Sequence, residues 1–326
     1  MRLLPWRSRT ARIQVATPGR QYRCARGRFL NLRRKRLCQA GHEGVTTLRT
    51  GAAKSIGFEV DNLSSPPGAP HRDTPWNKMR LPAISGVIDR RILANYRIDP
   101  ACMAAALPPP FRPQTVNGYA IGGICLIRLK RVRPKLFPVP WGIGSENAAH
   151  RIAVQWESNG QSMHGVYIPR RDTNSILNSF AGGRIFPGIH HHAKFTVVEC
   201  GDRYSVAMAS DDGGAKVHVS GSVVPAISDS SVFDSLESAS AFFEQGALGY
   251  SDTLTGGKFD GLELRCRNWH VESLNVDRIQ SSYFEDRSRF PSGSVEFDCA
   301  LLMRDIAHEW HGRPDLCCSL ENGSNR

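Results

Sequence analysis

The chain has 326 residues, 40% of them hydrophobic, which suffices for one large domain or two medium ones with a buried core. Its formal charge of +12 is confined to the first quarter: residues 1–78 hold sixteen Lys and Arg against four Asp and Glu, and the remainder holds twenty-six of each sign. That balance excludes a globally basic nucleic-acid-binding fold and leaves at most a local patch; no run approaches about 18 consecutive apolar residues, and the start lacks a secretory apolar core, so a cytoplasmic protein without a membrane partner is expected.

Residues 1–78 combine Arg33-Arg34-Lys35-Arg36 with Pro, Gly and Ser breaks and show no sustained period of 2 or 3.6. Such a stretch buries too little apolar surface to offset its ordering entropy, and disorder is expected. Four readings compete: a basic arm on nucleic acid, an organellar transit peptide, a paired-arginine targeting signal, or an over-extended start ahead of Met79. A single domain over 79–318 and a disordered tail over 319–326 complete the expected organisation.

Asp99-Pro100 reads as N-cap and first-turn proline of a short helix that ends at Pro108-Pro109-Pro110. Thr115 to Leu129 is β-like with glycines at 118, 122 and 123, and Arg131 to Gly144, with three prolines and Trp141, reads as a long loop of the kind that tends to be functional. From His150 a hairpin turns at Asn159-Gly160; Asp172 is expected to cap a helix through Phe180, ended by Gly182-Gly183. An antiparallel meander follows over 193–219, then a helix opened by the capping box Asp234-x-x-Glu237 and stopped at Gly246, then strands over 262–281. His308 and His311 have the i, i+3 spacing that is close in a helix, but the H-E-x-x-H frame is absent, and an ordinary segment packed by Trp310 is expected.

Many strands at hairpin spacing with few helices indicate an α+β, mainly antiparallel β domain, its sheet closed or strongly curved around an interior that can hold a ligand. Nine scattered cysteines without C-x-x-C read as reduced thiols, and neither a metal nor a cofactor is expected.

Ile98-Asp99-Pro100, Gly118-Tyr119-Ala120, Arg131-Val132-Arg133-Pro134, Ser145-Glu146-Asn147, Ala181-Gly182-Gly183-Arg184, His191-His192-Ala193, Tyr250-Ser251, Trp269 and Ser281-Ser282-Tyr283-Phe284 follow one another in an order that carries a resemblance. From Val87 to Cys317 the chain resembles the domain of unknown function 2071 family, a branch of the acetoacetate decarboxylase-like superfamily. The resemblance implies a curved double-layered β-cone or barrel with a central pocket. In the decarboxylases a Schiff-base lysine follows the Gly-Gly-Arg motif. Here Ile185-Phe186-Pro187-Gly188-Ile189 leads into His190-His191-His192, so a histidine, 190 or 191, stands in the lysine's place and iminium chemistry is not carried over.

Period 2 puts His191 with Ala193, Phe195 and Val197, and turns His190, His192 and Lys194 the other way. His191 is therefore the candidate acid, base or ligand, against a core histidine held by hydrogen bonds. Glu146 matches a pocket glutamate of the decarboxylases and is its candidate catalytic partner, against an exposed carboxylate. Arg184 could clamp a ligand carboxylate or pack on helix carbonyls, and His150, His190 and Trp141 complete the ligand-binding candidates. Arg151 ranks below His150, because its neighbours Ile152, Val154 and Trp156 take the opposite face. The expected function is binding of a small apolar acid or ketone without turnover; the alternatives are a lyase or hydrolase using His191 and Glu146, and a ligand-independent interaction protein. Oligomeric state is left open.

Overall fold

The computed structural model describes residues 83–135, 142–176, 188–254 and 256–317, all within the compact unit Trp76–Arg326. Trp141, Arg184, the expected basic leader and the expected tail lie outside the described residues.

Strand β1 (Ile84–Ile98) leads into the seven-residue helix α1 (Pro100–Ala106), where Asp99 accepts from the Ala101 and Cys102 amides at 2.8 and 3.0 Å as its cap position requires. After β2 (Arg112–Pro113), β3 (Thr115–Val116) turns through Asn117 and Gly118, both at positive φ, into β4 (Tyr119–Pro134). β4 runs further than its prolines suggest, because Arg133 and Pro134 pair with Ser85 and Ile84; only part of the expected loop remains before β5 (Ile143–Ser158). Asn159-Gly160 turns β5 into β6 (Gln161–Thr173) as expected. Asp172 is a strand residue rather than a helix cap, since the end of β6 pairs in parallel with His190–His192 at the start of β7 (His190–Cys200).

β7, β8 (Arg203–Ser210) and β9 (Lys216–Val224) form the expected meander. The following helix α2 (Leu236–Gln245) is capped one residue later than its sequence suggests, by a Ser235/Ser238 box, and closes with Gly246 N–H donating to Phe242 O. Ser235→Ala is expected to cost about 1 kcal/mol, read as a lower urea midpoint at unchanged slope; a shift within error would remove the cap from the account. β10 (Leu248–Asp252), β11 (Lys258–Cys266), β12 (Glu272–Ser281) and the long β13 (Val295–Cys317) complete the sheet. The His308–His311 segment is thus strand, not helix, and no described helix is long and apolar enough to cross a membrane.

The pairings close two rings. From β6 the path runs through β7, β8, β9, β12, β13, β1, β4 and β5 back to β6, and a second runs through β10, β11, β13, β1, β4 and β5 back to β6. Strands β13, β1, β4, β5 and β6 therefore form a wall common to both. Period 2 gives that wall two apolar faces. Ile92, Ala94, Ile124, Leu126, Ile152 and Val154 pack with Val206, Met208, Val217 and Val219 of the meander. On the other face Leu93, Cys125, Ile127, Ala153 and Leu301 pack with Phe233 and with Ala239 and Phe243 of α2.

Candidate functional site

The second face of the wall lines a partly open cavity of about 140 Å³ between β1, β4, β5, β6, β10, β11 and α2. Ile127, Val166, Ile168, Phe243, Leu262, Leu264, Trp269 and Trp310 make most of its lining apolar, and three arginines interrupt it: Arg91 of β1, Arg151 of β5 and Arg171 of β6.

Arg151 is 6% exposed and stands opposite Gly123. A Cβ at Gly123 would lie 2.7 Å from Ala94 O and 3.0 Å from Asn95 Oδ1, so the missing side chain lets Asn95 sit where it accepts from Arg151 Nη2. The Arg151 Cζ lies 4.7 Å from the Phe243 ring centroid, a cation–π contact from the helix side. Its Nε has no partner among the described residues. Burial pushes this guanidinium down to about 10, with Arg91 adding repulsion.

Arg171 donates through Nε to Ser251 Oγ at 3.0 Å, and burial pushes it down to about 10 as well, against the pull of Asp260. Gly188, at φ +80°, is required beside it: a Cβ there would meet Ser251 Cβ at 2.8 Å and Arg171 Nε at 3.0 Å. Arg91 donates to Cys125 Sγ at 3.3 Å and to Met303 Sδ at 3.8 Å, with Trp269 5.9 Å from its Cζ.

His190 also borders the cavity. Its Nδ1 lies 3.0 Å from Gly188 O, so Nδ1 carries the proton and Nε2 keeps an open lone pair. Burial, with Arg171 close by, pushes this imidazole down to about 4, leaving it neutral at pH 7. Asp172 is the carboxylate at the cavity edge, and Arg170 already neutralises it at 2.9 Å.

Adjacent residues of β1, β6 and β7 divide between the cavity and the opposite side. Arg90 pairs with Glu146 at 2.6 Å and Glu199 at 2.8 Å, Arg170 with Asp172 at 2.9 Å and Asp212 at 2.8 Å, and His191 Nδ1 with Asp212 at 2.9 Å. Their sequence neighbours Arg91, Arg171 and His190 turn to the cavity, and with Arg151 they make no ion pair within 4.0 Å among the described residues.

The expected site residues fall in different places. Glu146 belongs to the ion network of Arg90, Arg128 and Glu199; His191 is about a third exposed on Asp212; neither borders the cavity. His150 is fully buried on the first face, with Nε2 3.2 Å from Ser281 Oγ and its ring 5.0 Å from Tyr283, and burial together with Arg170 and Arg289 pushes it down to about 3. Lys194 is exposed. Arg151, ranked behind His150 by sequence, takes the face opposite Ile152 and Val154 as alternation requires, and that is the face with the cavity. Arg91 and Arg171 were not singled out by sequence; their signal is a pair of arginines inside an apolar strand, as in Ile88-Asp89-Arg90-Arg91-Ile92-Leu93.

Residues 88–291 match the family model of domain of unknown function 2071, described as an uncharacterized conserved protein. No curated protein matches the sequence at a significant level. Among solved structures, the acetoacetate decarboxylase of Legionella pneumophila subsp. pneumophila str. Philadelphia 1 is similar at 11% identity and a TM-score of 0.48, over 71% of this chain and 86% of that one. An acetoacetate decarboxylase-like enzyme from Sphingomonas wittichii RW1 is similar at 14% identity and 0.49, over 77% and 99%. The enduracididine biosynthesis enzyme MppR, complexed with pyruvate, is similar at 11% identity and 0.47, over 74% and 92%. These likenesses are of fold.

Proposed function

The chain belongs to the domain of unknown function 2071 family, and we propose that it binds a small organic carboxylate in the arginine cavity of its β-ring. One observation carries this reading: Arg91, Arg151 and Arg171 converge on one small apolar cavity without a carboxylate partner within 4.0 Å among the described residues. A buried cation without an ion-pair partner costs several kcal/mol on the order-of-magnitude scale, and an anionic ligand removes that cost while gaining a bidentate contact. Asp260 offsets part of the charge at Arg171, which leaves the other two as the stronger anchors.

Size narrows the class. An apolar cavity of about 150 Å³ accommodates benzene, so about six non-hydrogen atoms fit here, the size of butanoate. The basic groups at the cavity are guanidiniums and one neutral imidazole, so recognition is electrostatic and bidentate and involves no imine. His190 Nε2 accepts a hydrogen bond from a hydroxyl or protonated group on the same ligand. A lyase or hydrolase built on His191 and Glu146 draws no support from their positions, since Glu146 is held in an ion pair and His191 lies against Asp212, both away from the cavity.

Thermal unfolding with butanoate, butanamide and 2-pentanone tests the charge requirement. Butanoate is expected to bind with a Kd on the order of 0.1 to 1 mM, within the range for so few atoms, and to raise Tm in a concentration-dependent way. The neutral analogues should leave Tm unchanged. Equal stabilisation by butanamide, or none by any of the three, would overturn the proposal.

A further inference from the structure

Cys125 lies midway along β4 on the cavity face, is a free thiol, and borders the cavity. Its Sγ receives the Arg91 Nε at 3.3 Å, and Arg151 and Arg171 are both within electrostatic range of the same sulfur. A second, independent feature points to a ligand at this place: Arg151, more than nine-tenths buried and lining the same cavity, has an Nε without a partner among the described residues. A thiolate needs nearby positive charge and an access path to be reactive, and the cavity supplies both. Cys299 does not border the cavity, and burial pushes its thiol up to about 12, with Asp298 adding to the rise.

We propose that Cys125 is the nucleophile of the arginine cavity and attacks small carboxylates that bear a leaving group on the carbon next to the carboxylate. The inference rests on the carboxylate reading of the cavity. The guanidiniums hold the carboxylate beside the sulfur, so the charges that recruit the electrophile also place its α-carbon within reach of Cys125. The sulfur, its proton lost to solvent, forms a bond to the α-carbon as the bond to the leaving group breaks, and the leaving group departs as an anion.

Iodoacetate and iodoacetamide form the test pair, because they differ in charge and share the leaving group. The full chain is treated with each at pH 7, and alkylation is followed at every cysteine by peptide mass mapping. Exposed thiols such as Cys200 and Cys317 report the intrinsic preference. The iodoacetate-to-iodoacetamide rate ratio at Cys125 is expected to exceed theirs by about tenfold or more, the lower end of electrostatic recruitment into a charged cleft. Its rate should saturate with iodoacetate concentration and fall when butanoate is added. Arg91→Gln and Arg171→Gln, each checked for an unchanged unfolding profile, should bring the ratio back towards that of Cys200 while Cys125 still reacts with iodoacetamide. A ratio at Cys125 equal to that at Cys200, or no reaction of Cys125 with iodoacetate, overturns the inference. If butanoate still raises Tm in that case, the carboxylate reading survives alone; if it does not, both fail.

Discussion

Lowering the pH from 7 to 5 should remove about 6 kcal/mol of folding stability, about 2 kcal/mol from each of three histidines that stay neutral in the fold. His150 is pushed down to about 3, and His190 and His308 each to about 4, in every case first by burial and then by a neighbouring arginine: Arg170 and Arg289 at His150, Arg171 at His190, Arg91 at His308. The unfolded chain takes up these protons near 6.5, so it binds more protons than the fold throughout the window from about 6.5 down to about 4. Their contribution is therefore fully present above 6.5 and lost as the pH falls. Asp172, whose carboxyl burial holds above the usual range, works in the opposite sense at the acid end. Because whole domains retain only about 5 to 15 kcal/mol, the protein is expected to sit close to its unfolding transition by pH 5. Urea midpoints at pH 7, 6 and 5 measure this directly, and His150→Gln should flatten the slope by about a third whatever its own midpoint at pH 7. A midpoint that does not move between pH 7 and 5 would refute the account.

Arg151→Met is expected to abolish the butanoate-dependent rise in Tm and, at the same time, to leave the ligand-free protein more stable by on the order of 1 to 2 kcal/mol. The fall of its guanidinium to about 10 corresponds to about 3 kcal/mol of differential cost, and the substitution gives back part of this in the stranded amide of Asn95. At pH 7 the side chain remains charged, so the cost is borne by the fold itself. Methionine keeps the volume and the contact with Phe243. The sign of the stability change separates the two roles: if Arg151 served only to hold the wall together, its loss would cost about 3 to 5 kcal/mol, as breaking a buried pair does. Denaturant midpoints with and without butanoate yield both readouts from one sample.

The local parts of this architecture were legible because the chain states them locally. Asp99-Pro100, Asn159-Gly160 and the alternation of β7 to β9 each place a cap, a turn or a strand within a few residues. What failed to show depends on distant pairing. Asp172 has the chemistry of a helix cap and becomes strand only because His190–His192 align beside it. In β13 the alternation is broken at Asp305, φ +53°: Leu301 and Met303 share the second face with Ile306 and Trp310, so the odd series passes to the even one and the strand reads as irregular. The site was half visible for a related reason. Alternation sets Arg151 against Ile152 and Val154, but nothing in the sequence shows that the wall packs on both sides, so the face with the larger aliphatic residues reads as the interior.

The common wall of the two rings also governs how such a protein can vary by descent. Neighbours such as His150 and Arg151 stand one position apart in the chain yet face opposite sides of the wall, so a replacement at every second position of five strands can change the lining of the cavity while the packing of the other side is inherited unchanged. The same geometry makes insertions and deletions unequal. Losing one residue from β5 would exchange the side chains on the two faces, sending a guanidinium into the aromatic packing around Tyr283 and Phe284, whereas losing two would restore each side chain to its own side. Lineages of this fold should therefore diverge in the identity of cavity residues long before they diverge in the spacing between them.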